Sequence, residues 1–407
     1  MSIPREDASP DAPAVRIAWI IAGDEEGGVA QAVRGLISAV RSLGVVPLVI
    51  ALEGGQFRNE LDLFAPDIQV LGVAKPPSLE GSLLNKLRLQ LQVLRMRRLI
   101  RPRLVKALRR VDASVVHVVW PSLMPVAARA ALDVGAACVW EMPNILGRYP
   151  FEVNRRITQH TISRWGVTVL ANSRYTASTL GDRPVKPIVF HLGADEKRYF
   201  PGGPDRITRT ELGLPEGALV FGIFARLSAE KGQRLIIEAI AQLPRDRDAV
   251  HLLLVGGSLE GDYARQLHEQ ARKREVSDQL HMIGPVPDPE RYYDAIDVAV
   301  NARIDPEPFG LSVVEAMLMG KPTLVHALGG PAETVVDGVT GWHVSEPTPE
   351  AFCAGLLRAL DEREHWHEYG AAGRKRALEH FSLSREAREY VDIVRRIAES
   401  SRAARGA

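Results

Sequence analysis

What most constrains this chain is a strand–helix alternation that runs through the sequence twice. "AVRIAWIIAG" is a short apolar run, and the "GGVAQAVRGLISAVRSLG" that follows carries its apolar residues at helical spacing. "VVPLVIAL", "ASVVHVVW", "AACVWEM" and "VTVLANS" repeat the strand-type run, with helical stretches between them. The rhythm pauses at the charged, Gly/Pro-rich "HLGADEKRYFPGGPDR". It resumes with "ALVFGIFAR", "HLLLVGG", "QLHMIGPV", "DVAVNAR" and "PTLVHA". Strands that alternate with helices form parallel, doubly wound sheets. The expected fold is therefore α/β, with two Rossmann-like domains, residues 1–195 and 196–382, hinged near 193–205. Residues 383–407 read as a terminal helix free to pack on either half. With 407 residues, each half can bury a core of its own.

Composition narrows the function classes. The chain is 46% apolar and 25% charged, with a formal net charge of +1, which gives no reason to expect a nucleic-acid partner. Cys138 and Cys353 are far apart in apolar context and read as core thiols of a reducing compartment. The apolar run from Val15 to Ala22 is too short to span a membrane, and the stretch before it is acidic and proline-containing, unlike a signal peptide. A cytoplasmic location is expected.

In doubly wound sheets ligands gather beyond the carboxyl ends of the strands, so residues just after a strand are the candidates for chemistry. "ARLSAEKGQ" places Arg226 and Lys231 there, ahead of a helix. Two cations and a helix N-terminus suit a nucleotide diphosphate, although a basic surface loop reads the same way. "DPEPFGLSVVEAMLMGKP" also follows a strand and opens a helix, turning the Gly310 and Leu311 amides toward the same edge. Glu315 falls on the apolar stripe of that helix, where a carboxylate is costly unless something polar meets it. Two ribose hydroxyls would meet it, and so would a core salt bridge to Lys321 or Arg226. Glu307, in the loop ahead, is placed for a polyol. Asp246–Asp248, "DRD", has the spacing of a metal–diphosphate motif but precedes its strand, at the wrong edge of the sheet, and reads as a solvated turn.

Taken together, "ARLSAEKG", "EPFGLSVVEAMLMGKP" and "LGGPAETVVDGVTGWHV" closely resemble the signature of glycosyltransferase family 4. "GGVAQAV" is similar to that family's glycine loop, "VVHVVW" to its His-bearing strand and "GADEKRYFPG" to its interdomain turn. The resemblance implies a GT-B fold, two Rossmann-like domains facing each other across a cleft, and a retaining enzyme that uses a nucleotide-diphosphate sugar with no metal or other cofactor. It implies that Arg226 and Lys231 hold the diphosphate and stabilise the leaving group, that Glu315 takes ribose and that Glu307 takes the donor sugar. Phe309, Gly310 and Leu311 would lie along the donor, and Gly284 to Val286 against its base. Gly27 and Gly28 would bring amides to the phosphates. His117 would stand near the reacting centre; the competing reading is a satisfied core histidine. Asp24, Glu25 and Glu26 either face an acceptor or form a solvated acidic turn, and Glu141 and Asn144 are further acceptor candidates.

The function expected is hexosyl transfer, with UDP the commonest base in the family and GDP next, to an acceptor in lipid-linked glycan or polysaccharide synthesis. Alternatives are glycosylation of a small soluble metabolite and non-catalytic binding of a sugar nucleotide. A dinucleotide-dependent oxidoreductase is disfavoured because "GDEEGG" is not G-x-G-x-x-G. From Gly81 to Val111 the chain has ten Lys/Arg and no acidic residue. Two apolar stripes run through it, Leu83, Leu87, Leu91, Leu94 and Leu89, Val93, Met96, Ile100. One stripe with its basic margin suits an anionic bilayer, peripheral to the inner face; the alternative is a helix wedged between neighbours.

Overall fold

The computed structural model describes residues 15–25, 27–63, 65, 67–74, 83–146, 153–182, 184–203, 205–244 and 250–406, with 83–94, 153–154 and 404–406 described by backbone alone. β1 (Val15–Ile21), β2 (Val45–Ala51), β3 (Asp67–Val70), β4 (Val115–Val118), β5 (Ala137–Met142), β6 (Val167–Ala171) and β7 (Ile188–Val189) form a seven-stranded sheet in the order β3-β2-β1-β4-β5-β6-β7. β8 (Leu219–Phe224), β9 (Val250–Val255), β10 (Leu280–Gly284), β11 (Val298–Asn301), β12 (Thr323–His326) and β13 (Gly341–Val344) form a six-stranded sheet in the order β10-β9-β8-β11-β12-β13. Neighbouring strands pair in parallel, as in β1 with β4 and β8 with β11. Burial on both faces explains the near-continuous apolar runs of the central strands: every residue of β4 and β9 is buried. Three strands lack such a run. β3 is half-exposed, β7 has two residues, and β13 is four residues opening on a glycine, so periodicity alone does not mark them.

Each sheet reverses strand order once, between β1 and β4 and between β8 and β11. Loops leaving those pairs diverge at the carboxyl edge and leave a crevice, the usual ligand position in such sheets.

The chain divides into two compact units. One holds the described residues up to Leu170, with Leu180–Ile188 and those from Ala387 on; the other holds Ala171–Thr179 and Val189–Glu386. In the first, the helix Leu83–Arg110 turns Ile100, Leu104 and Leu108 into the core with Met96 packed against it, while the side chains of Leu89 and Val93, the rest of that stripe, fall outside the described residues. The side chains of Leu83, Leu87, Leu91 and Leu94 fall outside the described residues, as do Glu26 and the Asp246–Asp248 turn. The helix Leu383–Gly406 begins in the second unit and continues in the first, where Tyr390, Val391 and Val394 are buried. Both cysteines are free and buried, and burial pushes the Cys138 thiol up to about 12.

In the second unit, Glu333 accepts the backbone N–H of Arg174 and of Tyr175, both at 2.9 Å, at the start of the helix Arg174–Leu180. His191 Nε2 lies 3.1 Å from the same carboxylate. Burial works to raise the Glu333 carboxyl, but His191 and the two amides outweigh it and hold it below the usual range. A depressed folded value stabilises above the unfolded value and loses that stabilisation as pH falls through the folded one. Glu333→Gln should therefore cost about 1–3 kcal/mol at pH 7. The gap to wild type in urea unfolding should narrow from pH 5 toward pH 3.

Candidate active site

At the carboxyl edge of the second sheet, the loops after β8 and β11 are locked together by a glycine. Gly232 has φ +73°, and a Cβ there would lie 1.9 Å from the carbonyl oxygen of Ala302. Ile304 N–H donates to the Glu230 carbonyl at 2.9 Å and closes the same contact. This approach lets Lys231 Nζ reach Glu307 Oε2 at 3.0 Å across 76 residues of sequence. Glu307 is itself fixed by a second close contact. Its N–H donates to the Leu328 carbonyl at 3.2 Å and its own carbonyl accepts from Gly330 at 2.8 Å, while Gly329 packs so near that a Cβ would stand 2.1 Å from that oxygen.

Two further cations border this carboxylate. Arg303 Nη1 lies 3.4 Å and 3.5 Å from the two Glu307 oxygens. Arg226 is held farther out, 75% exposed, with Nη2 3.8 Å from Glu230 Oε1. Ser228 Oγ donates to that Glu230 oxygen at 2.7 Å, and this bond leads the effects that lower the Glu230 carboxyl. Gly310 is buried at φ +92° and caps the helix Leu311–Leu318, so the free amides of its first turn open at the same edge. Phe309 turns inward instead, its ring 6.0 Å from those of His191 and Phe381. Gly284 is buried at the end of β10, with Val286 half-buried just beyond it.

Glu315 is 8% exposed and meets neither Lys321 nor Arg226. Tyr293 donates its hydroxyl to Oε2 at 3.0 Å, and the Tyr199 hydroxyl bonds the same side chain. Lys321 Nζ donates to the Ile296 carbonyl at 2.8 Å. Tyr293 is braced by Phe224, stacked at 3.7 Å, and by Tyr199 edge-on at 5.9 Å. Burial raises the Glu315 carboxyl above its usual value, and the two tyrosine bonds only partly oppose it.

The first unit corrects several expectations. His117 does not stand free at a strand end: it is the third residue of β4, 0% exposed, with Nδ1 2.7 Å from Tyr390 Oη and Nε2 3.1 Å from Glu141 Oε2. It lies in the core within an apolar strand, Nδ1 hydrogen-bonded to a hydroxyl remote in sequence and Nε2, beside a buried carboxylate, without a hydrogen bond among the described residues. Glu141 is buried with it. Glu25 is likewise drawn into its own loop, accepting from the N–H groups of Ala22 and Gly23 at 2.6 Å and 2.9 Å and from Trp120 Nε1 at 2.8 Å. Asp24 and Asn144 are exposed. Gly27 and Gly28 open the helix Gly27–Val40 at the carboxyl edge of β1, both exposed, and a Cβ on Gly27 would meet nothing within 4 Å. That leaves room for a ligand to approach the backbone.

The family model described as glycosyl transferases group 1 matches residues 205–376, and that of the glycosyl transferase 4-like domain matches residues 27–192. The chain belongs to glycosyltransferase family 4. Its two parallel sheets are those of a GT-B glycosyltransferase fold. A glycosyltransferase of Rickettsia africae superposes with a TM-score of 0.78 at 19% identity, over 95% of this chain and 99% of that one. HepE of Anabaena, solved in complex with UDP, superposes with a TM-score of 0.77 at 24% identity, over 93% of this chain and 99% of that one. D-inositol 3-phosphate glycosyltransferase 2 of Catenulispora acidiphila is 29% identical over 276 residues, 64% of this chain. The chain spans between 52% and 63% of the length of the first curated relatives it matches.

Within this family member, sequence reasoning passed over Arg303, Tyr199 and Tyr293. The strand-end rule would have marked Arg303, two residues beyond β11; nothing local marks the tyrosines. Glu315 carries a pH signature. A carboxyl raised by folding binds more protons in the native state, so its charge costs stability as pH rises above the unfolded value. Glu315→Gln should thus gain on wild type in thermal midpoint between pH 5 and pH 8. A constant difference across that range would show that the buried carboxylate is fully compensated by its tyrosines.

Proposed function

We propose that this chain is a retaining glycosyltransferase that moves a hexose from a nucleotide-diphosphate sugar, UDP-linked first and GDP-linked next, to an acceptor hydroxyl. The observation that carries the reading is the Lys231–Glu307 pair at the switch between β8 and β11, beside Arg226 and the Gly310–Leu311 helix start. Cations and free amides at one sheet edge suit a diphosphate, and a carboxylate among them suits sugar hydroxyls. HepE, of like fold, was solved with UDP and with UDP-glucose, which supports that donor class. Glu315 would take the ribose hydroxyls, exchanging part of its tyrosine bonding for them. Gly284 and Val286 would border the base, and Gly27 and Gly28 the phosphates.

In this reading Arg226 and Lys231 stabilise the charge that grows on the diphosphate as its bond to the anomeric carbon breaks, an interaction strongest at the transition state. The acceptor oxygen bonds to the same face of that carbon, and its proton passes to the departing phosphate oxygen. No metal takes part in this reading. His117 is buried in β4, and in this reading it would act through Glu141 and Tyr390, whose side chains it meets at 3.1 Å and 2.7 Å.

The inositol phosphate relatives favour a second acceptor reading, a small phosphorylated metabolite. A lipid-linked acceptor finds support in the first unit. A groove of about 750 Å³ there is bordered by Arg98, Arg101, Lys106, Arg109 and Arg129, with Asp133 engaged by Arg101 at 2.7 Å and 2.8 Å. Among the described residues no helix is long and apolar enough to cross a membrane, so contact with a bilayer would be peripheral. Vesicles of phosphatidylcholine with about a third phosphatidylglycerol should retain the protein at low salt and release it at high salt, where the Debye length shrinks to about 3 Å. Equal retention by neutral vesicles would remove the electrostatic basis of that contact.

Thermal unfolding with UDP, GDP, ADP and NAD, each with and without EDTA, tests the donor reading. One nucleoside diphosphate at about a hundred times its dissociation constant should add roughly 2.7 kcal/mol, EDTA notwithstanding. Glu307→Gln should keep that shift within a few tenths while losing sugar transfer. Stabilisation by NAD alone, or by none of the four, would overturn the assignment.

A further inference from the structure

Each of the two cations expected from the sequence already faces a carboxylate. Lys231 is bound to Glu307 at 3.0 Å, and Arg226 stands 3.8 Å from Glu230. Those four side chains sum to zero charge, a poor basis for holding a group with two negative charges. Arg303 is the surplus. It leaves the end of β11 at the switch point, its backbone fixed by a 2.7 Å bond from His326 Nδ1 to its carbonyl and a 3.4 Å bond from its N–H to Asn301 Oδ1. Its guanidinium has five N–H donors. Among the described residues their only acceptor is Glu307, at 3.4 Å and 3.5 Å, near the outer limit of a hydrogen bond and already bound more tightly by Lys231. Arg303 Nε is buried with no partner. A guanidinium three-quarters buried, with an orphaned N–H, is costly unless a further acceptor completes it.

We propose that Arg303 is a donor-binding residue whose guanidinium takes an anionic oxygen at the sugar end of the nucleotide sugar, beside Glu307. This rests on the nucleotide-sugar reading of the site and adds to it a third cation. Two sources supply that chemistry. One is the phosphate nearest the sugar; the other is a carboxylate on the sugar itself, which would make the natural donor a uronic acid derivative. Arg303 is placed to do this because the loop contact at Gly232 sets it on the same edge as Lys231, both within reach of the Glu307 carboxylate.

The test is calorimetric titration of wild type, Arg303→Met and Arg303→Lys with UMP, UDP, UDP-glucose and UDP-glucuronate. The guanosine or adenosine set is substituted if thermal unfolding selects that base. If Arg303 takes the phosphate, the methionine variant should bind UDP and UDP-glucose about tenfold or more weakly. UMP should then change less than about twofold, and the lysine variant should recover part of the loss. If it takes a sugar carboxylate, the loss should be confined to UDP-glucuronate. A merely structural arginine that props Glu307 leaves the UDP-to-UMP and glucuronate-to-glucose affinity ratios unchanged, and unchanged ratios in both variants would overturn the proposal. Failure of wild type to bind any nucleoside diphosphate is a different result, which would remove the donor reading and this proposal with it. Circular dichroism of both variants at the titration temperature confirms that the folded protein is being compared.

Discussion

The contact on which the candidate site depends is backbone against backbone: Gly232 lying on the carbonyl of Ala302. Parallel sheets end in loops that diverge at the point where strand order reverses, and divergence alone would leave Lys231 and Glu307 apart. Absence of a side chain at one position brings the loop after β8 onto the loop after β11 and holds them at hydrogen-bonding range. Gly329 does the same between the loop after β12 and Glu307. The site is thus assembled by close packing of three connections on a rigid sheet edge, which keeps its charged groups in register before any ligand arrives.

Charge distribution in the second unit separates two kinds of carboxylate. Glu333 and Glu307 are met by cationic or N–H donors, and those around Glu333 hold its carboxyl below the usual range. Glu315 is met by two neutral hydroxyls in a buried position, so its ionised form is held at a cost. A protein keeps such a group where its chemistry is needed, and the stability it forgoes is recovered in the surrounding apolar packing of Phe224, Tyr293 and Tyr199.

Much of the architecture was legible because burial on both faces writes itself into sequence as long apolar runs. "VVPLVIAL" and "HLLLVGG" announce β2 and β9 without help. The edge strands β3 and β7 are half-exposed and short, and that same physics leaves them unmarked. Legibility in the site followed distance along the chain. Arg226, Lys231, Glu307 and Glu315 could be singled out because each sits where a strand ends or a helix begins. Their partners could not, because pairing was decided by loop packing: Glu315 was open to ribose hydroxyls or a core salt bridge, and the groups bonded to it are the hydroxyls of Tyr293 and Tyr199. His117 shows the limit most plainly, since the hydroxyl that bonds it belongs to Tyr390, 273 residues away.

That last distance bears on the order in which the molecule is made. The core of the first unit is closed by Tyr390, Val391 and Val394, on a helix that leaves the ribosome only after Val189–Glu386 has emerged. The second unit has all its strands, β8 to β13, within one uninterrupted stretch and can complete its sheet as it is synthesised. The first unit waits, with Trp19 and His117 uncovered where Tyr390 will lie, through the translation of some two hundred residues. At about 5–20 residues per second that interval is on the order of ten seconds or more, long enough for chaperones to engage the unfinished face. The first half of this chain to be translated is the last to be finished.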